Sequence, residues 1–429
     1  MIRPLVAQCD RTSRFALALT AIVILTGCDP LPIPIGGVVS WDEATPESLG
    51  FNAVRLEALR TGLAAKGTNA LLVVRNNRVA YEWYAPLHGP WRKEGTASMA
   101  KALVGGMSLI VAIDDGLIEL DDQASKYIPS WEGDTTKSAI TIRHLATHSS
   151  GIEHRDEGEV EEGWKRTFWR RERSAFSAVL REAPVTFAPG TQFAYSGPAF
   201  AVLTYAVTAS LRDAPHSDIE TVLERRVMEP LGVPRSAWTI SYGKSFEEDG
   251  MRLHASWSGA FYSARAAARV GQLMLQKGRW GDSQLIDSTL VELMLRHDAT
   301  PLPDSSEGLA HPAPAICWWV NSNGAWPSLP LDSFAAVGAG GQVLLVVPGL
   351  DLVLVRFGGP LGEAHWGPTL WDALEDDIFQ PLIAAMVSED SSFTGGSRGG
   401  GGCDVEPTLD AVPVVGSEPD ENTVAAIGR

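Results

Sequence analysis

The stretch Ala97-Ser98-Met99-Ala100-Lys101-Ala102-Leu103-Val104-Gly105-Gly106-Met107 decides the fold of this chain. Its apolar residues have helical spacing that continues to Asp115 and stops at Gly116, which predicts a helix with Ser98 in its first turn. Residues three apart share a helix face, so the ammonium of Lys101 can reach the hydroxyl of Ser98. A lysine in a desolvated cleft loses its proton readily and can then serve as a base toward serine. A helix N-terminus also directs backbone N–H groups at a developing oxyanion.

The same S-x-x-K spacing occurs a second time, as Ser241-Tyr242-Gly243-Lys244. This copy lies among glycine, serine and glutamate and has no apolar helix after it, which predicts a loop. The tetrad alone is therefore weak evidence, and only its context favours Ser98 as the nucleophile.

The order of strands and helices indicates the fold class. Asn69–Arg75 and Arg78–Tyr84 predict one β-hairpin, and Gln342–Val347 with Leu350–Phe357 predict a second. Residues 141–295 between them are mainly helical in pattern. Strands at both ends with helices in the middle predict an α+β domain with an inserted, mainly helical region.

The two ends of the chain differ from its body. Residues 1–27 have a basic start and a short apolar run, the pattern of a signal peptide. Leu25-Thr26-Gly27-Cys28 resembles a bacterial lipobox, which implies cleavage before Cys28 and lipidation of its thiol; an ordinary signal peptide is the alternative. We therefore expect an envelope protein, anchored in a membrane and facing the periplasm or the exterior.

The remaining boundaries follow from composition. Residues 28–40 are rich in proline and glycine and predict a tether, residues 41–387 form the folded body, and the acidic, glycine-rich residues 388–429 predict a disordered tail. Cys317 and Cys403 could pair outside the cytoplasm or remain two thiols. The formal net charge of −17 excludes binding to nucleic acid through a basic surface.

Serine and lysine need a proton relay and donors for an oxyanion. Tyr195, in the segment Pro189–Gly197, can shuttle a proton if nearby cations lower its pKa. The alternative is a half-buried tyrosine that only packs against the core. The segment Phe334–Gln342 contains several glycines and precedes a predicted strand, which lets a substrate lie against the strand edge; a tight connection between strands is the alternative.

Together these segments resemble the serine β-lactamase and penicillin-binding-protein superfamily, in its class C-like esterase and peptidase branch. The resemblance extends from Trp41 to Val387 and includes, besides the tetrad, four further segments in the expected order: Gly116–Asp122, Ile140–Ile152, Pro189-Gly190 and Pro348–Val355. It implies a β-lactamase-like fold, with an antiparallel sheet flanked by helices. It also implies acylation of Ser98, with Lys101 and Tyr195 handling the proton and the N–H groups of Ser98 and Ala339 holding the oxyanion.

Two positions depart from the family pattern. The second motif is usually Tyr-x-Asn, but Gly197 stands in the place of the asparagine. The third motif usually reads Lys, His or Trp, then any residue, then Gly; here it is Ala336-Val337-Gly338. Both changes remove polar contacts to β-lactams and peptide carboxylates, so the sequence favours a different acyl substrate. We expect that substrate to bind beside Gly197, Gly338 and Ala339.

A zinc site is a further alternative. His144, His148 and His154 have the ligand spacing of an extended zinc-protease motif, but Leu145 replaces the glutamate that would activate water. We therefore expect no metal and no organic cofactor.

The sequence predicts a serine hydrolase that cleaves a small ester or amide through an acyl-enzyme on Ser98. One alternative is a D-alanyl peptidase or β-lactamase acting on cell-wall-type substrates, and another is a catalytically silent binding module. The aromatic residues Trp164, Trp318-Trp319 and Trp326 could line the substrate pocket or pack in the core.

Overall fold

A seven-stranded antiparallel sheet forms the centre of the folded body. The computed structural model describes residues 41–154, 162–298, 300–304, 311–362 and 368–386. The strands among these residues are β1 Thr68–Arg75, β2 Arg78–Tyr84, β3 Glu94–Gly95, β4 Trp238–Thr239, β5 Phe246–Glu248, β6 Met251–Leu253, β7 Phe261–Tyr262, β8 Arg279–Trp280, β9 Ser283–Gln284, β10 Ala313–Pro314, β11 Trp319–Val320, β12 Phe334–Gly338, β13 Gln342–Val347 and β14 Leu352–Gly358. The strand order in the seven-stranded sheet is β10-β11-β12-β13-β14-β1-β2.

The helices lie on both faces of this sheet and in a separate helical region. They are α1 Ala53–Ala65, α2 Met107–Asp114, α3 Ile142–Ala146, α4 Gly163–Trp169, α5 Ala175–Glu182, α6 Gly197–Ser210, α7 Ile219–Leu223, α8 Ala264–Leu275, α9 Ser288–Met294, α10 Pro368–Leu374 and α11 Gln380–Ala384. Helices α1 and α11 pack together and share a hydrophobic core with one face of the sheet. Helix α8 covers the other face.

The central strands are buried on both faces of the sheet because nearly all of their residues are apolar, without the alternating polar residues of a half-exposed strand. In β1, Leu71 and Val73 pack in the core beneath α1, while Leu72 and Val74 pack in the core beneath α8. Helix α8 approaches the sheet closely at Gly271, where a Cβ atom would lie 2.7 Å from a methyl carbon of Leu344. The sheet therefore provides a rigid base for the loops at its edges.

The nucleophile segment is the central buried helix of the molecule. A 3₁₀ turn, Ala97–Met99, leads into a π-helical segment, Lys101–Gly106, which continues as α2. The run from Ala97 to Asp114 is long and apolar enough to cross a membrane, but 78% of it is buried inside the molecule. It therefore has the burial of a core helix.

The predicted fold class is confirmed, with an antiparallel sheet built from both ends of the body and helices inserted between them. The first hairpin was predicted to within one residue, and Asn76 and Asn77 both take the positive φ that a two-residue turn requires. The second hairpin begins its return strand at Leu352, because residues Pro348–Leu350 form a 3₁₀ turn. The predicted signal peptide, tether, lipidated Cys28, acidic tail and Cys403 lie outside the described residues and stay predictions.

Candidate active site

Ser98 lies where the central helix begins, in contact with the end of strand β12. The residue before it, Ala97, has a φ of 46°, in the left-handed region that costs a residue with a side chain about 1–2 kcal/mol. This tight turn brings the start of the helix against Gly338, where a Cβ atom would lie 2.2 Å from the carbonyl oxygen of Thr96 and 3.1 Å from the backbone nitrogen of Ser98. Only a glycine at 338 permits this approach.

Lys101 is buried beside Ser98. Its Nζ lies 3.5 Å from Ser98 Oγ and donates a hydrogen bond to the carbonyl oxygen of Trp257 at 2.8 Å. The side chain is 6% exposed and no carboxylate is paired with it among the described residues, so burial lowers the pKa of Lys101 to about 7. At neutral pH a large share of these amines is therefore unprotonated and able to accept a proton.

Tyr195 packs against Lys101 from the helical region. The Nζ of Lys101 lies 4.6 Å from the centre of the tyrosine ring, and the phenol hydroxyl interacts with Ser98. Burial raises the pKa of Tyr195 well above its usual value, and the contact with Ser98 lowers it only in part. The condition that nearby cations lower this pKa is not met: the phenol keeps its proton because desolvation outweighs the hydrogen bond with Ser98.

His148 fixes the orientation of the tyrosine. Its ring stacks on Tyr195 with centroids 4.3 Å apart, and its Nδ1 accepts a hydrogen bond from the backbone N–H of Ser196 at 3.1 Å. Burial and the nearby Lys101 lower the pKa of His148 well below its usual value. The imidazole is therefore neutral, with its proton on Nε2.

A buried arginine holds the turn that follows β12. Arg356 Nη1 donates to the carbonyls of Gly340 and Gly341 at 2.8 and 3.1 Å, and Nη2 donates to Gly359 O at 2.7 Å. Its Nε donates to Thr68 Oγ1 at 3.0 Å. The guanidinium is fully buried, and burial lowers the pKa of Arg356 to about 10. These bonds fix the turn from Ala339 onward relative to the sheet.

The space beside Ser98 is narrow and mostly apolar. The cavity volume is about 10 Å³, the room of a single water molecule. Lys101 is the one cationic side chain among the described residues that border it. The full lining is Ser98, Lys101, Ala102, Ala146, His148, Tyr195, Pro314, Ala315, Cys317, Trp318, Trp319, Ala336 and Val337. Trp318 and Trp319 thus line the site, whereas Trp326 packs in the core beneath α1 and α11.

The second S-x-x-K copy has different surroundings. Ser241 is fully buried, and its Oγ accepts a hydrogen bond from the backbone N–H of Ala255 at 2.8 Å. Lys244 is exposed and donates to the carbonyl oxygen of Arg171 at 2.6 Å. The two side chains therefore serve separate structural contacts.

The three histidines of the zinc-like motif each accept a backbone hydrogen bond through Nδ1. His144 forms a capping box with Thr141 at the start of α3, and His148 and His154 accept from Ser196 and Gly197. Within the described ranges, no three histidine, cysteine or acidic side chains form a group that could hold a metal ion. These contacts explain the spacing of the motif.

Three contributors to the site were missed by sequence reasoning. Arg356 interrupts an otherwise apolar strand, which is a signal that could have been used. Cys317 borders the cavity because its φ of 65° turns the chain there, and burial raises the pKa of its thiol well above its usual value. The carbonyl of Trp257 gives no signal in a sequence, because any residue supplies one.

Solved structures with this fold include a family VIII carboxylesterase, with a TM-score of 0.58 and 15% identity over 78% of this chain and 99% of that one. A penicillin-binding-protein homologue from Caulobacter crescentus has a TM-score of 0.57 and 15% identity, covering 78% of this chain and 99% of its own. At these identities the likeness shows the fold alone.

Two relatives are similar in sequence. The 6-aminohexanoate-dimer hydrolase of Paenarthrobacter ureafaciens is 25% identical over 342 residues, covering 76% of this chain and 82% of the relative. The D-alanyl-D-alanine-carboxypeptidase/endopeptidase AmpH of Escherichia coli is 31% identical over 151 residues, which are 34% of this chain and 36% of AmpH.

The fold and the family together define a serine hydrolase of the β-lactamase and penicillin-binding-protein superfamily, as the sequence predicted. Residues 57–358 match the beta-lactamase family, and the chain belongs to it.

Proposed function

We propose that this protein hydrolyses a small ester or amide through an acyl-enzyme on Ser98. The observation that carries the proposal is the buried amine of Lys101, which lies 3.5 Å from Ser98 Oγ and has a pKa of about 7. A distance of this size is long for a hydrogen bond, but such bonds tighten when substrate is present.

In this mechanism Lys101 is the base that accepts the proton of Ser98 as Oγ bonds to the acyl carbon. The carbonyl electrons move onto oxygen, and the N–H groups of Ser98 and Ala339 hold the resulting oxyanion. Collapse of this intermediate expels the alcohol or amine, which takes a proton from Lys101 relayed through the phenol of Tyr195. Water then attacks the carbonyl carbon of the acyl-enzyme as its proton passes to Lys101. Collapse of this second intermediate breaks the bond to Ser98 Oγ, which takes that proton back, and releases the acid.

A phenol that keeps its proton suits the relay role. Because burial raises the pKa of Tyr195, the residue gives up one proton only as it receives another. A tyrosinate base is disfavoured for the same reason, which leaves Lys101 as the group that first accepts the proton.

The same amine argues against a silent binding module. Burial of Lys101 with no carboxylate partner in the described part of the chain destabilises the folded protein, so a protein without chemistry to perform would be more stable with an apolar residue there.

A peptidase or β-lactamase acting on cell-wall-type substrates is the second candidate. It is favoured by the similarity to AmpH, which extends over 34% of this chain. The lining of the cavity disfavours it, because Ala336 offers no charge to a substrate carboxylate and Lys101 is the one cation among the described lining residues. We therefore favour an uncharged acyl substrate.

Intact-mass analysis of the protein after treatment with a fluorophosphonate, p-nitrophenyl butyrate or ampicillin tests these assignments. We expect one fluorophosphonate adduct on wild type and on Ser241→Ala, none on Ser98→Ala, and turnover of the ester but not of ampicillin. A folded wild type that stays unmodified would refute the proposal, and rapid acylation by ampicillin would favour the second candidate.

A further inference from the structure

A buried loop, residues 255–260 between β6 and β7, contacts the nucleophile segment through its backbone carbonyls. The carbonyl oxygen of Trp257 accepts the hydrogen bond from Lys101 Nζ at 2.8 Å. The carbonyl oxygen of Ala260 accepts two hydrogen bonds from Thr96, one from its backbone N–H at 2.9 Å and one from its Oγ1 at 3.0 Å. The 255–260 loop therefore fixes both the base and the turn that leads into the nucleophile helix.

The second S-x-x-K segment holds the 255–260 loop near both of its ends. Ser241 Oγ accepts the hydrogen bond from the backbone N–H of Ala255, and the backbone N–H of Tyr242 donates to the carbonyl oxygen of Gly259 at 2.7 Å. Trp257 lies midway between these two bonds along the chain. Ser241 and Ala255 are fully buried, so the bond between them is shielded from water. The two bonds limit how far the carbonyl of Trp257 can move.

The backbone that presents this hydroxyl is strained. Ser241 and Tyr242 have φ values of 56° and 57°, so two successive residues with side chains lie in the left-handed region. Such residues persist only where the surrounding contacts compensate, and they occur often beside functional sites. Gly259 permits a close approach of the two segments, because a Cβ atom there would lie 2.5 Å from the ring of Tyr242. The segment is thus shaped to fit the loop that it holds.

The packing of Trp257 fixes its ring more directly than its carbonyl. The indole contacts the rings of Phe168 and Phe176, with centroids 4.7 and 5.5 Å apart. The carbonyl turns with the peptide plane, which the hydrogen bonds of the loop hold in place. A charged donor forms a stronger hydrogen bond than a neutral one, so this carbonyl favours the ammonium form of Lys101. Displacement of the carbonyl would therefore lower the pKa of the lysine further.

We propose that Ser241 is a positioning residue for the hydrolytic reaction, which holds the carbonyl of Trp257 where it orients Lys101 toward Ser98. This inference rests on the proposed ester or amide hydrolysis at Ser98. Ser241 touches none of the reacting atoms. Variants of Ser241 should therefore still form the fluorophosphonate adduct, but more slowly, because the nucleophile is intact and its base is displaced.

Steady-state kinetics of the full-length protein with p-nitrophenyl butyrate between pH 5 and pH 9 test the proposal. Ser241→Gly removes the hydroxyl at a position whose φ glycine adopts without strain. We expect kcat to fall about tenfold or more while KM changes less than about twofold. The midpoint of the pH profile of kcat/KM should fall by about half a pH unit or more. Lys244→Met, at the exposed end of the same segment, is the matched control and should leave all three quantities unchanged.

Ser241→Cys keeps a weaker acceptor at the same position and should give an intermediate kcat and midpoint, which preserves the test if the glycine variant folds poorly. A folded Ser241→Gly with the kcat and midpoint of wild type would show a structural role alone and overturn the inference. A lower kcat without a lower midpoint would also overturn it, because loss of the hydroxyl would then not have weakened the hydrogen bond to the amine. Wild type that neither hydrolyses the ester nor forms an adduct at Ser98 would instead overturn the proposed function.

Discussion

Replacement of Lys101 by methionine should abolish hydrolysis at any pH and stabilise the fold below about pH 7. Methionine has a similar length and no charge, so it suits a site that is 6% exposed. The change also removes the donor to the carbonyl of Trp257, which costs about 1–3 kcal/mol at any pH.

The pH dependence follows from the amine itself. The pKa of Lys101 falls from 10.5 to about 7 on folding, so the folded state binds this proton less tightly than the unfolded state does. Wild-type stability therefore rises with pH between about 7 and 10.5, and below pH 7 the amine destabilises the fold by about 5 kcal/mol, at about 1.4 kcal/mol for each pKa unit. At pH 9 the folded amine is neutral and the unfolded one still protonated, which leaves a cost of about 2 kcal/mol.

The stability gained on Lys101→Met should thus be larger at pH 6 than at pH 9 by about 3 kcal/mol. Urea titrations of wild type and variant at both pH values measure this difference, and the other titrating groups cancel in the comparison. Lys244→Met, in the second S-x-x-K copy, is the control and shows how removal of an exposed ammonium changes the free energy of unfolding at the two pH values. An equal gain at pH 6 and pH 9 would refute a lysine that titrates near neutrality and, with it, the assignment of the base.

Three other outcomes are expected. The kcat/KM for p-nitrophenyl butyrate should rise about tenfold per pH unit up to pH 7 and then level off, because only the neutral amine of Lys101 accepts the proton; a profile that is flat from pH 5 to 9 would contradict this. Arg356→Met should leave two buried carbonyls and one half-buried carbonyl unpaired, and so lower the free energy of unfolding by about 3 kcal/mol or more, as measured by urea titration. It should also reduce kcat on the order of 10²-fold, as measured by steady-state kinetics below the unfolding temperature. An unchanged kcat would show that the turn at Ala339 plays no part in the reaction. Gly338→Ala should destabilise the protein by about 1–3 kcal/mol and abolish adduct formation in the fluorophosphonate assay, because its Cβ would overlap the carbonyl of Thr96, whereas Gly62→Ala, which meets no atom within 4 Å, should retain full labelling.

The fold was predictable where local pattern and tertiary structure agree. Alternating and continuous apolar runs identified the strands of both hairpins, and the helix after Ser98 was visible in its spacing. The bounds were less predictable: the 3₁₀ turn after Pro348 and the π-helical segment at Lys101 depend on contacts that a local pattern does not contain.

Within the site, sequence reasoning identified residues but not their electrostatics. It selected Ser98, Lys101 and Tyr195, which the fold brings together, but it left open whether cations lower the pKa of the tyrosine, and burial raises that pKa. Burial of an individual side chain arises from the packing of distant segments. Trp169, from another helix, fills the space beside Gly197. A sequence does not show such a contact, so sequence reasoning treated the glycine at 197 only as the loss of a polar side chain.

The buried guanidinium of Arg356 supplies a natural spectroscopic reporter. Solvent-exposed arginine side-chain protons exchange with water too fast to follow, but an Nε–H bonded to Thr68 inside the molecule is shielded from that exchange. In a nitrogen-15-labelled sample this proton should give a slowly exchanging resonance, separate from those of the surface arginines. Its shift during turnover would record how the neighbouring turn responds to an acyl group on the serine, without a label placed in the substrate cavity.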